Sequence, residues 1–223
     1  MPTTTNFGWT TPADTDLVKD GAAAIRTLAG NIDTSLVDLK GGTTAQVLAK
    51  NSNTDLDFVW STSSAGSLTS LETGSLSGAS VTTATLSGSY RNLYVVIKDL
   101  LPATDATALR LRFNADTNAR YNFNNSVGSS SVFDETSIAV TATSIDNSTS
   151  DGLIVMTVPE YANTTTWKYA DIVAIHNDST TPTTVVYTRR YGFYNQTGAI
   201  TSLTFFMSSG NFTSGTYTVY GVN

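Results

Sequence analysis

Between positions 25 and 39, apolar residues recur at helical spacing. Ile25, Leu28, Ile32, Leu36 and Leu39 fall three, four, four and three apart, the narrow stripe of an amphipathic helix. A start reads at Thr11-Pro12-Ala13-Asp14. Thr11 would be the N-cap, Pro12 the first helical residue, and Asp14 the partner that closes a capping box. Asp14, Asp16 and Asp20 suit the positive end of the helix dipole. A stop reads at Lys40-Gly41-Gly42, where glycine takes the left-handed conformation. Ile25 to Leu36 spans eleven residues, a period near 3.67 that predicts a straight or slightly right-handed seam. Gly21 and Gly30 each cost about 1 kcal/mol inside a helix, so the helix needs a partner. The stripe could pack on the chain's own β-domain. Its narrowness and the polar opposite face (Lys19, Arg26, Asn31, Asp33, Asp38) favour self-association.

Strand-like patterns follow. Gln46–Lys50 and Leu56–Trp60 flank the turn-rich Asn51–Asp55 as a hairpin. Such a hairpin is marginal in water without neighbours. Ser61–Gly66 reads as a linker. Beyond it come Ser80–Leu86, Asn92–Lys98, Ala108–Phe113, Ser137–Ser144, Gly152–Val158, Trp167–Ile175, Thr184–Tyr191, Ile200–Met207 and Thr216–Val222, with a weaker run near Leu68–Leu76. Several alternate cleanly, as in Leu109-Arg110-Leu111-Arg112-Phe113. So many short strands with no helix between them predict a mainly β chain: an N-terminal helix and hairpin followed by an antiparallel β-sandwich or jelly roll.

Composition sharpens this. Only 13% of the 223 residues are charged, the formal net charge is −6, and Ser and Thr make up about 29%. The aromatic share of 10% separates the chain from disordered polar sequences and favours strands with hydroxylated outer faces. Scattered Lys and Arg argue against nucleic acid and anionic lipid as partners. No apolar run approaches a membrane span, and Met1-Pro2-Thr3-Thr4-Thr5 lacks the parts of a signal peptide.

Catalytic equipment is sparse. With no cysteine and one histidine, His176, neither a thiolate nucleophile nor a zinc or iron centre is expected, and no cofactor. Calcium stays open at the loop Asp146–Asp151. No nucleophile elbow accompanies His176. No spacing among Glu72, Glu135, Glu160 and the turn-bound aspartates marks the carboxyl pair of a glycosidase. Recognition is the remaining chemistry. Arg120–Asn125, Glu160–Asn163 and Arg190–Gln196 mix aromatic rings with amides, which suits sugar faces and hydroxyls. The candidate ligand-binding residues are Tyr121, Asn122, Tyr161 and Tyr194; the alternative is that these aromatics are sandwich core.

Phe7-Gly8-Trp9-Thr10-Thr11-Pro12, the helix through Leu39, and Gly41–Lys50 with Thr54–Trp60 resemble the N-terminal region shared by many tailed-bacteriophage fibre and minor tail proteins. Ser214–Gly221 is similar to the closing strand of jelly-roll domains in phage virion proteins. The resemblance implies a homotrimer on the exterior of the virion. Phe7 and Trp9 would anchor to another protein of the tail, baseplate or head; Ile25, Leu28, Ile32, Leu36 and Leu39 would form the trimer seam; the β-domain would face a host-surface glycan. The chain then divides into an anchor (1–12), a trimerisation helix (13–42), a hairpin neck and linker (43–62) and a jelly-roll sandwich (63–223). It lacks a long repetitive shaft, so a short fibre, a knob or a head decoration is implied, and a depolymerase is the competing enzymatic reading.

Overall fold

The computed structural model describes residues 1–62, 68–124 and 131–223, the side chains of 182 and 183 excepted. The chain forms two units, Met1–Ala65 and Gly66–Asn223.

In the first unit the chain begins as a small turn rather than a free peptide. Thr3 bridges Thr10, Thr4 N–H donates to the Trp9 carbonyl at 2.8 Å, and Gly8 turns the corner at φ +66°. Thr11 is consumed here: its N–H and its hydroxyl both donate to the Pro2 carbonyl, at 2.8 and 3.2 Å. It therefore does not cap a helix. The Asp16 carboxylate closes a separate turn on the Ala13 N–H at 2.8 Å, the local competition that keeps aspartate out of helix interiors. The helix α1 starts later than expected, at Val18, and runs to Ser35 with Leu17 in the cap position and no side-chain cap. It also stops earlier: Leu36 is the C-cap and Val37–Leu39 tighten into a 3-10 turn. Leu36 and Leu39 of the expected seam thus lie beyond α1.

Gly41 and Gly42 do take positive φ, +92° and +82°. At Gly42 there is a second reason for glycine, since a Cβ would stand 2.7 Å from the Trp60 ring. That ring is fixed by its Nε1–H on the Lys40 carbonyl at 3.1 Å. The hairpin forms as expected, β1 Gln46–Lys50 against β2 Phe58–Thr62, with Leu48 opposite Trp60. Its turn is tied by Asn51 and Ser52, which both donate to the Asp57 carboxylate; these bonds hold that carboxyl below its ordinary value. Ser61 and Thr62 extend β2 instead of opening a linker, and the remaining linker positions 63–66 lie outside the described residues.

The second unit is an antiparallel sandwich. Its strands are β3 Thr69–Ser75, β4 Ser80–Thr82, β5 Asn92–Pro102, β6 Leu109–Phe113, β7 Tyr121–Asn124, β8 Ser131–Glu135, β9 Ile138–Ala139, β10 Gly152–Pro159, β11 Lys168–Asp178, β12 Thr181–Tyr194, β13 Leu203–Met207 and β14 Phe212–Val222. Eight make one sheet in the order β3-β14-β5-β10-β11-β12-β7-β8, and four make the other, β4-β13-β6-β9. Inward residues such as Leu93, Val95, Ile97, Ile154, Met156, Ile172, Leu111 and Phe205 are buried between them, and Phe205 of the small sheet meets Tyr217 of the large one at 5.6 Å between rings.

Two expected strands shrink, for one physical reason. Ser80–Leu86 keeps its ladder only to Thr82, because the Thr83 hydroxyl accepts the Leu203 N–H at 3.0 Å where a carbonyl would have served. Ser137–Ser144 keeps only Ile138–Ala139, and the Thr141 hydroxyl accepts the Leu109 N–H at 2.9 Å. Strands β7 and β8 have no counterpart among the expected ones.

Candidate functional site

The outer face of the large sheet changes character across its width. Toward β3 it is hydroxylated, with Thr73 bonded to Thr218. Toward β11, β12, β7 and β8 it is aromatic, and there it dips into a groove of about 550 Å³. Alternation builds the groove: Tyr169 and Asp171 on β11, Tyr191 and Phe193 on β12, and Asn122 and Asn124 on β7 point outward while their neighbours Ala170, Gly192 and Phe123 are buried. Register sets them side by side, Tyr169 opposite Phe193, Phe193 opposite Asn122, and Asp171 opposite Tyr191. Phe133 of β8 and Trp167, just before β11, close the ends and are 66% and 50% exposed. Large rings left this open are rare unless something covers them.

Gly192 makes this region possible from below. A Cβ there would stand 2.6 Å from the Ile138 side chain, so glycine lets β9 lie close under β12 while Tyr191 and Phe193 rise on the other side.

The polar groups are oriented. Asn122 Oδ1 accepts the Asp134 N–H and Asn124 Oδ1 accepts the Tyr191 N–H, each at 2.9 Å. Each amide is thereby fixed by its oxygen, and among the described residues neither NH₂ group has a partner. Asp171 accepts from Arg189 through both oxygens, at 3.2 and 2.8 Å, which pushes the guanidinium's pKa up further. Arg189 also lies over the Tyr191 ring, 5.3 Å from its centre. Tyr169 and Phe193 meet edge to face at 5.1 Å. The rings can stack on apolar ligand faces, the amides can donate, and Asp171 retains lone pairs to accept.

A second, smaller hollow of about 310 Å³ adjoins the first and shares Pro159, Trp167 and Tyr169 with it; Arg91, Asn92, Glu160 and Thr166 complete it. Arg91 and Glu160 form a loose pair at 3.4 Å, with side chains 71% and 51% exposed.

Three of the four expected ligand residues are not here. Tyr121, Tyr161 and Tyr194 are core. Tyr121 stacks on Tyr194 at 4.8 Å between rings, its hydroxyl accepting the Phe113 N–H at 3.1 Å. Burial pushes the Tyr121 phenol up, and burial with the Asp116 carboxylate pushes Tyr194 up to about 12. The Tyr194 hydroxyl donates to Asp116 at 2.7 Å, and Tyr161 donates to the Ser87 carbonyl. Only Asn122 reaches the groove. The expected stretches do border the groove: Arg190–Gln196 turns the rings of Tyr191 and Phe193 outward, whereas in Tyr121-Asn122-Phe123-Asn124 the rings turn inward and the amides outward. Trp167, Tyr169, Asp171 and Phe133 line the groove without having stood out in the sequence. Ala170 and Ala174, small residues on one face of β11, are the available sign that Tyr169 and Asp171 face out.

The other candidate chemistry resolves quietly. His176 is buried, its Nδ1 2.9 Å from the Asn177 carbonyl oxygen, with no serine hydroxyl bonded to it among the described residues. Lys168 is buried and its ammonium donates to the Thr166 and Thr197 carbonyls at 2.7 and 2.9 Å; burial lowers its pKa. Asp146, in the loop where the sequence leaves calcium open, is also buried, bonded to Ser148, and no carboxylate or histidine cluster of metal-binding size occurs among the described residues. No helix of the described residues is long and apolar enough to cross a membrane.

In the first unit, Ile25 is 63% exposed, Leu39 is exposed, Leu28, Ile32 and Leu36 are half-buried, and no residue of α1 is buried. Phe7 and Trp9 stack on each other at 4.9 Å, and the Trp9 Nε1–H donates to the Ser35 hydroxyl at 3.0 Å. Trp9 is therefore stapled to its own helix, while Phe7 stays exposed. No family model, curated protein or solved structure matches the chain.

Proposed function

We propose that the protein is a homotrimeric fibre of a tailed-bacteriophage virion, attached by residues 1–12 to a tail, baseplate or head protein and carrying a β-domain outward to bind a host-surface glycan. It acts by binding, not by catalysis. The observation that carries the recognition is the outer-face groove, where exposed rings alternate with amides whose NH₂ groups have no acceptor among the described residues. A glycosidase needs two carboxyl groups across the bond it cuts. The groove's Asp171 is held on both oxygens by Arg189 and the adjoining hollow's Glu160 is paired with Arg91, so both carboxylates are engaged in ion pairs.

Assembly through α1 is supported by an apolar stripe of which no residue is buried and Ile25 stands exposed; the number three comes from the resemblance. With Trp9 stapled down, Phe7 is the side chain of the anchor that remains available to another protein.

The β-domain reads as a jelly roll with two insertions. With β7, β8, β11 and β12 set aside, the remaining strands pair β3 with β14, β4 with β13, β5 with β10 and β6 with β9. The first half of the chain meets the second in reverse order, as in one long hairpin rolled up. Contacts of β14 with β5 and of β13 with β6 close the roll. The groove is then built almost wholly on the inserted strands.

A printed array of bacterial surface polysaccharides tests the recognition. Retention of one glycan without cleavage is the expected result. Released oligosaccharide would turn the reading to a depolymerase, and no binding to a decoration protein without a ligand.

A further inference from the structure

We infer that the ligand is an uncharged oligosaccharide that straddles the Trp167–Tyr169 ridge, with one sugar in each hollow. This rests on the glycan reading above. Two observations carry it. First, the groove and the smaller hollow share Pro159, Trp167 and Tyr169 as a common wall, so a ligand stacked on Trp167 is within reach of both. Second, the charged side chains that line the two hollows are each paired. Asp171 of the groove is paired with Arg189, and Arg91 of the smaller hollow with Glu160.

Among the described residues that line the two hollows, an acidic polysaccharide would meet no cation without a carboxylate partner, and it would approach a chain of net charge −6. Hydroxyl groups fit both pairs, since each donates to a carboxylate and accepts from a guanidinium. The Arg91–Glu160 pair is exposed and loose. Such pairs hold weakly, so neighbouring hydroxyls can insert between its members at little cost. The two hollows then divide the work. Rings and fixed amides hold the first sugar in the groove, and the Arg91–Glu160 pair reads the second.

The test uses the intact protein on an array holding neutral polysaccharides and acidic ones that bear uronate or phosphate, followed by titration calorimetry with fragments of the retained glycan. Neutral glycans are expected to be retained, with affinity nearly constant from about 50 to about 500 mM salt. Fragments long enough to fill both hollows should bind at least about tenfold tighter than a single sugar. Arg91→Ala and Glu160→Ala should each weaken the longer fragment about three- to tenfold and leave the single sugar unaffected, while Trp167→Ala removes binding of both. Circular dichroism and melting of these surface variants should match the parent. Retention of acidic glycans with affinity falling in salt would overturn the uncharged ligand. Affinity independent of fragment length and of Arg91 would overturn the straddling. Absence of any retained glycan would overturn the glycan reading itself, a distinct result.

Discussion

Between Met1 and Thr62 not one residue is buried, whereas the second unit encloses a continuous core in which residues such as Phe113, Tyr121 and Ile154 have no exposure at all. The two units reach their folds by different means. The second is held by apolar burial between sheets, the largest favourable contribution to folding. The first is held by local hydrogen bonds, one tryptophan–serine staple and a ring laid over a glycine, which together cannot offset the entropy of ordering so many residues. Under the assembly proposed above, such a unit would draw its core from other copies of the chain, whereas the second unit carries its own.

Four perturbations act on this contrast. The largest effect is expected from Leu28→Asp. Within an assembled seam it buries an unpaired charge, costing about 3–5 kcal/mol per chain. Light scattering should register a monomer, with loss of helical circular dichroism and an unchanged melt of the β-unit; an unchanged mass would reject the seam. Phe113→Ala is the mirror experiment. It empties a site among Tyr121 and Tyr194 and should cost about 3–5 kcal/mol of the β-unit's stability, read from its denaturant midpoint, while leaving the oligomer's mass intact.

Smaller is Tyr194→Phe. Asp116 keeps its bonds from Asn118 and Arg120 but loses the Tyr194 hydroxyl, an expected loss of about 1–2 kcal/mol. The variant also changes the acid response. Burial works to raise the Asp116 carboxyl, but the Asn118 and Tyr194 hydrogen bonds and Arg120 outweigh it and hold the carboxyl below its ordinary value. The unfolded chain therefore takes up this proton at higher pH than the folded one. The contribution is whole above the unfolded carboxyl value and disappears as pH falls through the lowered folded value. Removing the hydroxyl should flatten that acid limb of the melting-temperature profile; an unaltered limb would exclude Asp116 as its source. The smallest effect on stability belongs to Arg189→Ala. Its exposed pair with Asp171 contributes little to stability, so the melt should barely move while glycan affinity falls, since Asp171 is left unoriented.

Much of the architecture is readable as pattern. The strands of the sandwich alternate because one face is dry, and Gln46–Lys50 pairs with Phe58–Thr62 around the turn residues that mark it. What escapes the pattern depends on distant partners. Thr11 has the chemistry of a cap, but Pro2 claims both its donors. Thr83 and Thr141 have the chemistry of strand residues, but their hydroxyls take the place of carbonyls. Tyr121–Asn124 is too short for alternation to declare itself, and its parity is set by Tyr194 beside it on β12 and Phe113 across the core. The site suffers from this most, because shifting by one residue exchanges a core tyrosine for a groove amide.

Thr69 and Gly221 stand opposite each other in register on β3 and β14, at the edge of the sheet farthest in strand order from β8. The chain thus enters the β-unit beside the end of β14, and that end adjoins the smaller hollow, since Val222 stands opposite Asn92 and its carbonyl accepts the Arg91 N–H at 3.1 Å. A fluorophore or tether added after Asn223 will emerge beside the point where the chain enters this unit. A fluorophore there should therefore report occupancy of the smaller hollow, whereas surface immobilisation through that position would crowd it.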